Sequence, residues 1–257
     1  MRENPVKRAL AAGETPLGTM VCEFLTSNVP RLVRSAGADW VLYDLEHSGF
    51  GIDLLRDLLP ATNATGLVPI VRVPDAVYDS ISRVLDLGAL GVMIPGCESA
   101  DEARMLVESA RFPPQGKRGF GLLYQDVWEP GGLPDTLAKS NDETLLIAQI
   151  ETAAGLEAVE EIAAVEGIDV LWIGQFDLTA SLGIPGQFET DAFRDAVARV
   201  LAAAQAAGKH VGMVCATVDD CRAMLRQGLS IVGYSFDTWL LEGALKAGLA
   251  EVRASGS

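Results

Sequence analysis

The chain has 257 residues, of which 49% are hydrophobic, and its formal net charge is −15. This composition is sufficient for a full hydrophobic core and excludes a disordered chain, and the acidity excludes a nucleic-acid partner, since a phosphate backbone requires a basic face. No apolar run approaches the roughly 20 residues that span a bilayer, and residues 1–14 lack the apolar core of a secretory signal, so we expect a cytoplasmic protein without a membrane partner.

Eight apolar runs of strand length alternate along the chain with amphipathic stretches of helical length. The runs occupy residues 18–24, 40–45, 67–73, 91–95, 144–150, 169–174, 210–215 and 230–236. The helical stretches occupy residues 29–36, 51–64, 76–87, 98–110, 153–165, 190–207, 217–226 and 237–250. This alternation predicts a parallel α/β sheet, and the count of eight favours a single-domain (β/α)8 TIM barrel over residues 1–257. An open doubly wound sheet is the alternative, but no G-x-G-x-x-G motif follows the first run.

One long stretch, residues 111–142, lacks a periodic pattern and is rich in proline and glycine. Loops of this length inside a compact domain are usually functional or disordered. Because the stretch comes after the fourth predicted strand, we expect it over or beside the active-site mouth of the barrel. A lid or a contact between subunits is the favoured interpretation, and a decorative loop is the alternative.

The four cysteines are Cys22, Cys97, Cys215 and Cys221, and they include no C-x-x-C pair. Such spacing favours buried free thiols over a disulfide framework or a metal cluster.

Polar residues at the C-terminal ends of barrel strands are candidates for chemistry, whereas those at the N-terminal ends usually serve stability. His47 follows the second predicted strand, and Arg72 lies near the end of the third. A buried arginine requires an oxygen partner. That partner is either Asp44 or Glu46, in an ion pair, or a substrate carboxylate or enolate oxygen, which we favour. His210 opens the seventh strand, at the opposite end, and is expected to be structural.

Glu151 and Asp177 each follow an apolar run that is predicted to be a buried strand. Carboxylates so placed on parallel strands converge at one rim of the barrel, where they could hold a hard divalent cation. Each acid could instead cap the helix that follows it. Capping does not explain why Arg72 and His47 are predicted at the same rim. The four residues therefore indicate a metal-assisted enzyme that acts on a carboxylate-bearing substrate.

The segments around these residues resemble the HpcH/HpaI aldolase family of metal-dependent (class II) pyruvate aldolases. The similar segments are DWVLYDLEHSGF (39–50), VPIVRVP (68–74), and residues 85–121 and 149–187, in the order found in the family. The pairing of QIET with G-x-x-D-L-[ST]-A-S-L-G is the most specific element. The resemblance implies a (β/α)8 barrel that cleaves 4-hydroxy-2-oxo acids into pyruvate, or hydroxypyruvate, and an aldehyde, and that also catalyses the reverse reaction.

The resemblance also implies a role for each site residue. Glu151 and Asp177 match the protein ligands of a divalent metal, Mg, Mn or Co, with no organic cofactor. Arg72 matches the residue that stabilises the pyruvate enolate, and His47 matches the base that takes the proton from the 4-hydroxyl group. Gln149, Phe176 and Asp177 match positions that contact the 2-oxo acid.

Asp86 matches an acid that raises the basicity of the histidine in this family. It closes a predicted helix at the opposite rim of the barrel, so it could act only on His47 of a neighbouring subunit. The resemblance implies a homo-oligomer, typically a hexamer, in which such a contact is available.

The chain departs from the family pattern at two places. Leu45 stands before the Glu-His pair, where the family often has glycine, and Gln175 and Phe176 stand where it commonly has proline and a small residue. The larger Phe176 side chain is expected to narrow the aldehyde pocket. Two alternatives to the aldolase remain open: a related metal-dependent lyase or decarboxylase acting on a 2-oxo acid such as oxaloacetate, and a non-catalytic 2-oxo-acid-binding protein.

Overall fold

The strands form a closed barrel in the computed structural model, which describes residues 3–121 and 132–255. All neighbouring strands pair in parallel and in sequence order, and β8 pairs with β1. The strands are β1 Leu17–Val21, β2 Trp40–Asp44, β3 Val68–Arg72, β4 Gly91–Ile94, β5 Leu145–Ile150, β6 Val170–Ile173, β7 His210–Cys215 and β8 Ile231–Phe236. The predicted (β/α)8 barrel and its eight strands are therefore confirmed.

Helices surround the barrel, and the described residues include three that the sequence pattern did not predict, namely α1, α6 and α9. The helices are α1 Pro5–Ala11, α2 Val29–Ser35, α3 Ile52–Thr65, α4 Tyr78–Asp86, α5 Ala100–Ala110, α6 Leu133–Glu143, α7 Ala153–Glu157, α8 Val159–Ala163, α9 Gln175–Ser181, α10 Asp191–Ala206, α11 Val218–Gln227 and α12 Asp237–Ser255. The single helix predicted for 153–165 is two short helices, α7 and α8. Within the described ranges, no helix has the length and apolarity needed to cross a membrane.

The barrel interior is filled by large side chains rather than left as a pore. The rings of Trp40 and Trp172 meet edge to face, with their centroids 5.8 Å apart. Gly18 and Gly212 lie against these two rings, and a Cβ at either glycine would overlap a tryptophan. Helix α1 contributes Val6 and Leu10 to the same interior cluster and so closes the N-terminal end of the barrel. The functional site must therefore lie at the opposite, C-terminal end.

The long stretch 111–142 is not irregular throughout, because residues 133–143 form α6. It follows helix α5 rather than a strand, and α5 has already returned the chain to the N-terminal end of the barrel. There Arg111 lies 3.9 Å from Asp169, which precedes β6, and the Phe112 N–H donates to Asn141 Oδ1 over 2.7 Å. The expectation that the whole stretch borders the mouth therefore does not hold for residues 111, 112 and 141, whereas the Gly119 N–H donates to the Tyr78 hydroxyl at the start of α4, on the mouth side. Residues 122–131 lie outside the described residues, so a lid there stays a prediction.

All four cysteines are free thiols, as predicted. Cys97 and Cys215 are buried, and Cys22 and Cys221 are partly buried. Burial raises the pKa of each thiol, to about 12 for Cys22 and Cys97.

Candidate active site

The C-terminal ends of four strands bring a set of polar side chains to the mouth of the barrel. Asp44 and Arg72 are the last residues of β2 and β3, Glu151 follows β5 directly, and Asp177 lies in the first turn of α9, after β6. With Glu46 and His47 from the segment after β2 and Gln149 from β5, they form the mouth cluster: Asp44, Glu46, His47, Arg72, Gln149, Glu151 and Asp177. Most of the residues predicted for the site belong to this cluster.

Arg72 forms a two-point ion pair with Asp44, its register partner on β2. Nε and Nη2 of Arg72 each donate to one Asp44 carboxylate oxygen over 2.8 Å. Burial acts to raise the pKa of Asp44, but the Arg72 guanidinium outweighs it and holds that pKa below its ordinary value. The ion pair that the sequence left as an alternative is thus formed, and it fixes the arginine in the mouth.

Glu46 joins the arginine to the histidine and was missed as a site residue by the sequence reasoning, which considered it only as an ion-pair partner. Its Oε2 atom lies 3.2 Å from Arg72 Nη1 and 3.7 Å from His47 Nε2. This oxygen is buried and receives no well-directed hydrogen bond. Burial raises the pKa of Glu46, and repulsion from Asp44 and Asp177 adds to the effect, while Arg72 and His47 oppose it. Its place directly before His47 was the available signal.

Glu151 is a buried carboxylate, 6% exposed, held by two donors. The Gly96 N–H donates to Oε1 over 2.7 Å, and Gln149 Nε2 donates to Oε2. Burial raises the pKa of Glu151 to about 7; repulsion from nearby carboxylates adds to this, and the Gly96 N–H opposes it. Gly174 lies so close that a Cβ there would overlap Glu151 Oε2. The carboxylate is therefore held tightly in one position. Its burial disfavours the charged form, and a nearby positive charge would offset that cost.

The capping alternative for the two acids does not hold. The side chain that caps α7 is Thr152, which accepts a hydrogen bond from the Gly155 N–H. Helix α9 already begins at Gln175, so Asp177 lies inside its first turn and is not its cap. Both carboxylates are thus left for another role.

The donor atoms of the cluster fit a hard divalent cation. Glu151 and Asp177 repel each other electrostatically, and Gln149 Oε1 is a buried oxygen without a hydrogen-bond partner. Oxygen atoms are the ligands that Mg²⁺ and similar cations prefer. Across the described part of the chain, no group of three or more histidine, cysteine, aspartate or glutamate side chains could hold a metal ion. The described side chains thus do not form a complete metal site, and a cation held by Glu151 and Asp177 would need further oxygen ligands.

His47 and Phe176 are the accessible members of the predicted site. The His47 side chain is 63% exposed, and its backbone N–H donates to Asp44 Oδ2 over 3.3 Å. Phe176 is 43% exposed on the first turn of α9. Both side chains can therefore meet a molecule that enters the mouth.

Asp86 is not brought to the mouth cluster within this chain. It ends α4, at the N-terminal end of the barrel, and pairs with Arg118 Nη2 over 2.7 Å. A role for Asp86 through a neighbouring subunit stays a prediction.

His210 also lies at the N-terminal end of the barrel, as the first residue of β7, and burial lowers its pKa.

Comparisons with known proteins agree on one group of relatives. The model of the HpcH/HpaI aldolase/citrate lyase family matches residues 22–244. A hydroxypyruvate/pyruvate aldolase from Delftia acidovorans is 34% identical over 254 residues, covering 98% of this chain and 93% of the relative. A 2-keto-3-deoxy-L-rhamnonate aldolase from Escherichia coli is 33% identical over 247 residues, covering 96% and 92%. The crystal structure of an HpcH/HpaI aldolase from Desulfitobacterium hafniense superposes with a TM-score of 0.92 at 30% identity, covering 96% of each chain.

Proposed function

The chain belongs to the HpcH/HpaI aldolase/citrate lyase family, and we propose that it is a class II aldolase, a carbon–carbon lyase. Its substrates are 4-hydroxy-2-oxo acids, which it cleaves into pyruvate, or hydroxypyruvate, and an aldehyde. The observation that carries the proposal is the convergence of Glu151, Asp177, Arg72 and His47 at one rim of the barrel. In condensation, C3 of pyruvate loses a proton and bonds to the aldehyde carbon, and the aldehyde oxygen gains a proton. Cleavage is the reverse.

Glu151 and Asp177 are the residues that would hold a divalent cation, Mg, Mn or Co, and no organic cofactor is required. When bound, such a cation supplies Lewis-acid stabilisation of the negative charge that develops on the keto oxygen. Gln149 Nε2 donates to Glu151, and its buried Oε1 atom has no hydrogen-bond partner, which supports a contact of this amide with the 2-oxo acid. The backbone at Phe176 and Asp177 is the other proposed contact of the 2-oxo acid.

Arg72 supplies the second positive charge of the site. Asp44 accepts hydrogen bonds from two of its nitrogens, Nε and Nη2. Among the described ion pairs of Arg72, the third nitrogen, Nη1, contacts only Glu46, without a well-directed hydrogen bond. A negatively charged substrate oxygen would replace that contact at Nη1 without disturbing the Asp44 pair. A donor placed where charge develops typically contributes about 10²–10³ in rate.

His47 is the proposed base for the 4-hydroxyl group. Its imidazole is exposed to the mouth, its backbone is fixed by Asp44, and its Nε2 atom lies near Glu46. General base catalysis of this kind typically contributes about 10²–10⁴ in rate. The proposed assistance from Asp86 requires the barrel of a neighbouring subunit, because within this chain Asp86 lies at the other end.

The last helix supports a homo-oligomer, proposed to be a hexamer. No residue of α12 is buried, and its spacing places Leu241, Leu245, Leu249 and Val252 on one face, each 47–68% exposed. Exposed apolar stripes of this size usually mark an interface. A second copy of this chain is the proposed partner at this stripe. The cytoplasmic location predicted from the sequence remains part of this proposal.

Pyruvate release from a 4-hydroxy-2-oxo acid tests the proposed function. Protein stripped with EDTA should be inactive, and Mg²⁺, Mn²⁺ or Co²⁺ should restore activity to the wild type but not to Glu151→Gln. Full activity of the EDTA-stripped Glu151→Gln protein would contradict the proposal. Turnover of oxaloacetate without any aldol cleavage would instead support the alternative decarboxylase.

A further inference from the structure

Aromatic side chains line one arc of the barrel mouth. Phe176 meets Phe188 and Trp239 edge to face, with ring centroids 5.3 Å and 5.8 Å away. Trp239 in turn meets Phe236 at 4.6 Å. These four residues, Phe176, Phe188, Phe236 and Trp239, are called the aromatic wall below.

The position of the aromatic wall complements that of the mouth cluster. Phe176 lies just after β6 and Trp239 just after β8, so their contact passes over the end of β7. Gln175 Nε2 donates to the carbonyl of Val214, in β7, over 2.6 Å and holds the start of α9 there. Asp237 accepts hydrogen bonds from backbone N–H groups after β1 and holds the start of α12. The wall thus occupies the arc from β6 to β8, while the charged residues stand on β2, β3, β5 and β6.

The aromatic wall exposes apolar surface beside the proposed metal ligand Asp177. Phe176 precedes Asp177 directly, and Phe176 and Trp239 are 43% and 42% exposed. Two neighbouring rings with this much exposure form a site where the apolar part of a small ligand gains from leaving water.

Charge on this arc argues against an anionic ligand group. The segments after β1, β6 and β7, residues 22–28, 174–190 and 216–217, contain no lysine or arginine. They contain Glu23, Asp177 and Glu189, and Asp237 opens the helix after β8. A carboxylate on the aldehyde would be repelled here by these acidic side chains. The faces of the aromatic rings carry a negative electrostatic potential and would repel it as well.

We propose that the acceptor half of the site takes an uncharged aldehyde whose apolar aliphatic or aromatic side chain lies against Phe176 and Trp239. This inference rests on the proposed function, since it places the second substrate of the same reaction. The aldehyde carbon bonds to C3 of pyruvate and the aldehyde oxygen becomes the hydroxyl group beside His47. The side chain lies against this apolar arc rather than against the charged mouth cluster.

A homologous series of aldehydes tests the proposal with pyruvate and Mg²⁺-loaded full-length enzyme. From propanal to butanal to pentanal, kcat/KM should rise by roughly threefold per methylene, as expected for burial of each CH2 on an apolar surface. Benzaldehyde should be a better acceptor than the anionic glyoxylate. Trp239→Ala and Phe176→Ala should flatten the chain-length dependence. Because this dependence is a ratio measured on one protein, a general loss of activity cancels from it.

Leu32→Ala is the matched control, since Leu32 is an exposed apolar residue on α2, away from the mouth, and this variant should keep the wild-type dependence. Deuterium exchange of the pyruvate methyl group, which needs no aldehyde, separates this inference from the proposed function. Metal-dependent exchange together with a flat series, or with a preference for glyoxylate, would overturn the aromatic-wall proposal alone. No exchange in the metal-loaded wild type would overturn the proposed function and this inference with it.

Discussion

At the scale of single residues, burial raises the pKa of Glu151, and metal binding should therefore depend on pH. Without a cation its pKa is raised to about 7, chiefly by burial. A carboxyl group must lose its proton to act as a ligand, and below pH 7 the protonated form of Glu151 predominates in the folded protein. We therefore predict that Mn²⁺ affinity falls about tenfold per pH unit below about pH 7 and is nearly constant above it.

Isothermal titration calorimetry at a series of pH values measures this dependence. Glu151→Gln, which cannot titrate at this position, should bind Mn²⁺ weakly and without the change near pH 7. A wild-type affinity that stays constant from about pH 5.5 to about pH 8 would contradict the assignment of Glu151 as a ligand with a raised pKa.

We predict that position 174 requires glycine because there is no room for a Cβ atom, and not because of its backbone conformation. A Cβ at this position would overlap Glu151 Oε2 and approach Gln149 Nε2. Gly174→Ala should therefore displace the carboxylate and weaken metal affinity by roughly 10–100-fold, as for other changes that misplace a ligand. Gly243→Ala, in open space on α12, should leave the affinity unchanged. Wild-type affinity in a folded Gly174→Ala protein, checked by circular dichroism, would contradict this geometry.

The site residues differ in how far the sequence predicts them. Glu151, Arg72 and His47 were predictable because strand ends and specific motifs mark them. Glu46 and Gly174 were not, because their importance depends on distances that only the closed barrel creates: 3.2 Å from Glu46 to Arg72, and the close approach of Gly174 to Glu151. A sequence pattern gives the end of the barrel on which a residue stands, but not which side chains meet there.

At the scale of elements, the strands were predicted and three helices were not. Buried parallel strands are continuous apolar runs, so the pattern marks them directly. Helix α6 lies within a stretch rich in polar residues, and α9 starts two residues after β6 ends, with no loop to signal it. Helix α1 has a clear start signal, since Asn4 caps it and Pro5 opens it, but it is only 7 residues long. Tertiary contacts rather than periodicity stabilise these helices.

The contacts of Asn4 hold α1 against the end of the barrel. Asn4 is fully buried, and its amide donates to the carbonyls of Leu90 and Glu143 over 3.0 Å and 2.9 Å. Asn4→Ala removes both hydrogen bonds and the side-chain cap of α1, although the Leu90 carbonyl keeps the Leu145 N–H, and should lower the free energy of unfolding by about 1–3 kcal/mol. Glu3→Ala removes only an exposed ion pair with Arg8, which solvent screens, and should lower the free energy of unfolding far less. Urea denaturation measures both, and equal stability of the two variants would contradict the role of Asn4.

At the scale of the whole molecule, the exposed stripe on α12 predicts association between copies. Leu245→Glu places a charge in the middle of the stripe, where a partner would bury it without a counter-charge, so the assembly should dissociate to a smaller mass. Lys246→Glu changes the charge of the adjacent residue, off the stripe defined by Leu241, Leu245, Leu249 and Val252, and should leave the mass unchanged. Light scattering after size-exclusion chromatography measures both. An unchanged mass for Leu245→Glu would contradict an interface at this stripe.

The barrel as a whole divides its mouth into two regions of different chemistry. The ends of strands β2, β3, β5 and β6 present charged side chains, which are proposed to hold a cation and a 2-oxo acid, and the aromatic wall from β6 to β8 presents apolar surface. Residues far apart in the chain, such as His47 and Asp177, share this mouth because parallel strands all end there.

The role of Glu151 in activating pyruvate is tested most directly by the exchange of pyruvate methyl protons with solvent deuterium, followed by NMR without any aldehyde. We predict exchange by Mg²⁺-loaded wild type, its loss on treatment with EDTA, and exchange at the background rate for Glu151→Gln. Exchange that persists in EDTA and in Glu151→Gln would show that this buried carboxylate has no part in activating pyruvate, and would contradict a metal-dependent aldolase with Glu151 as a ligand.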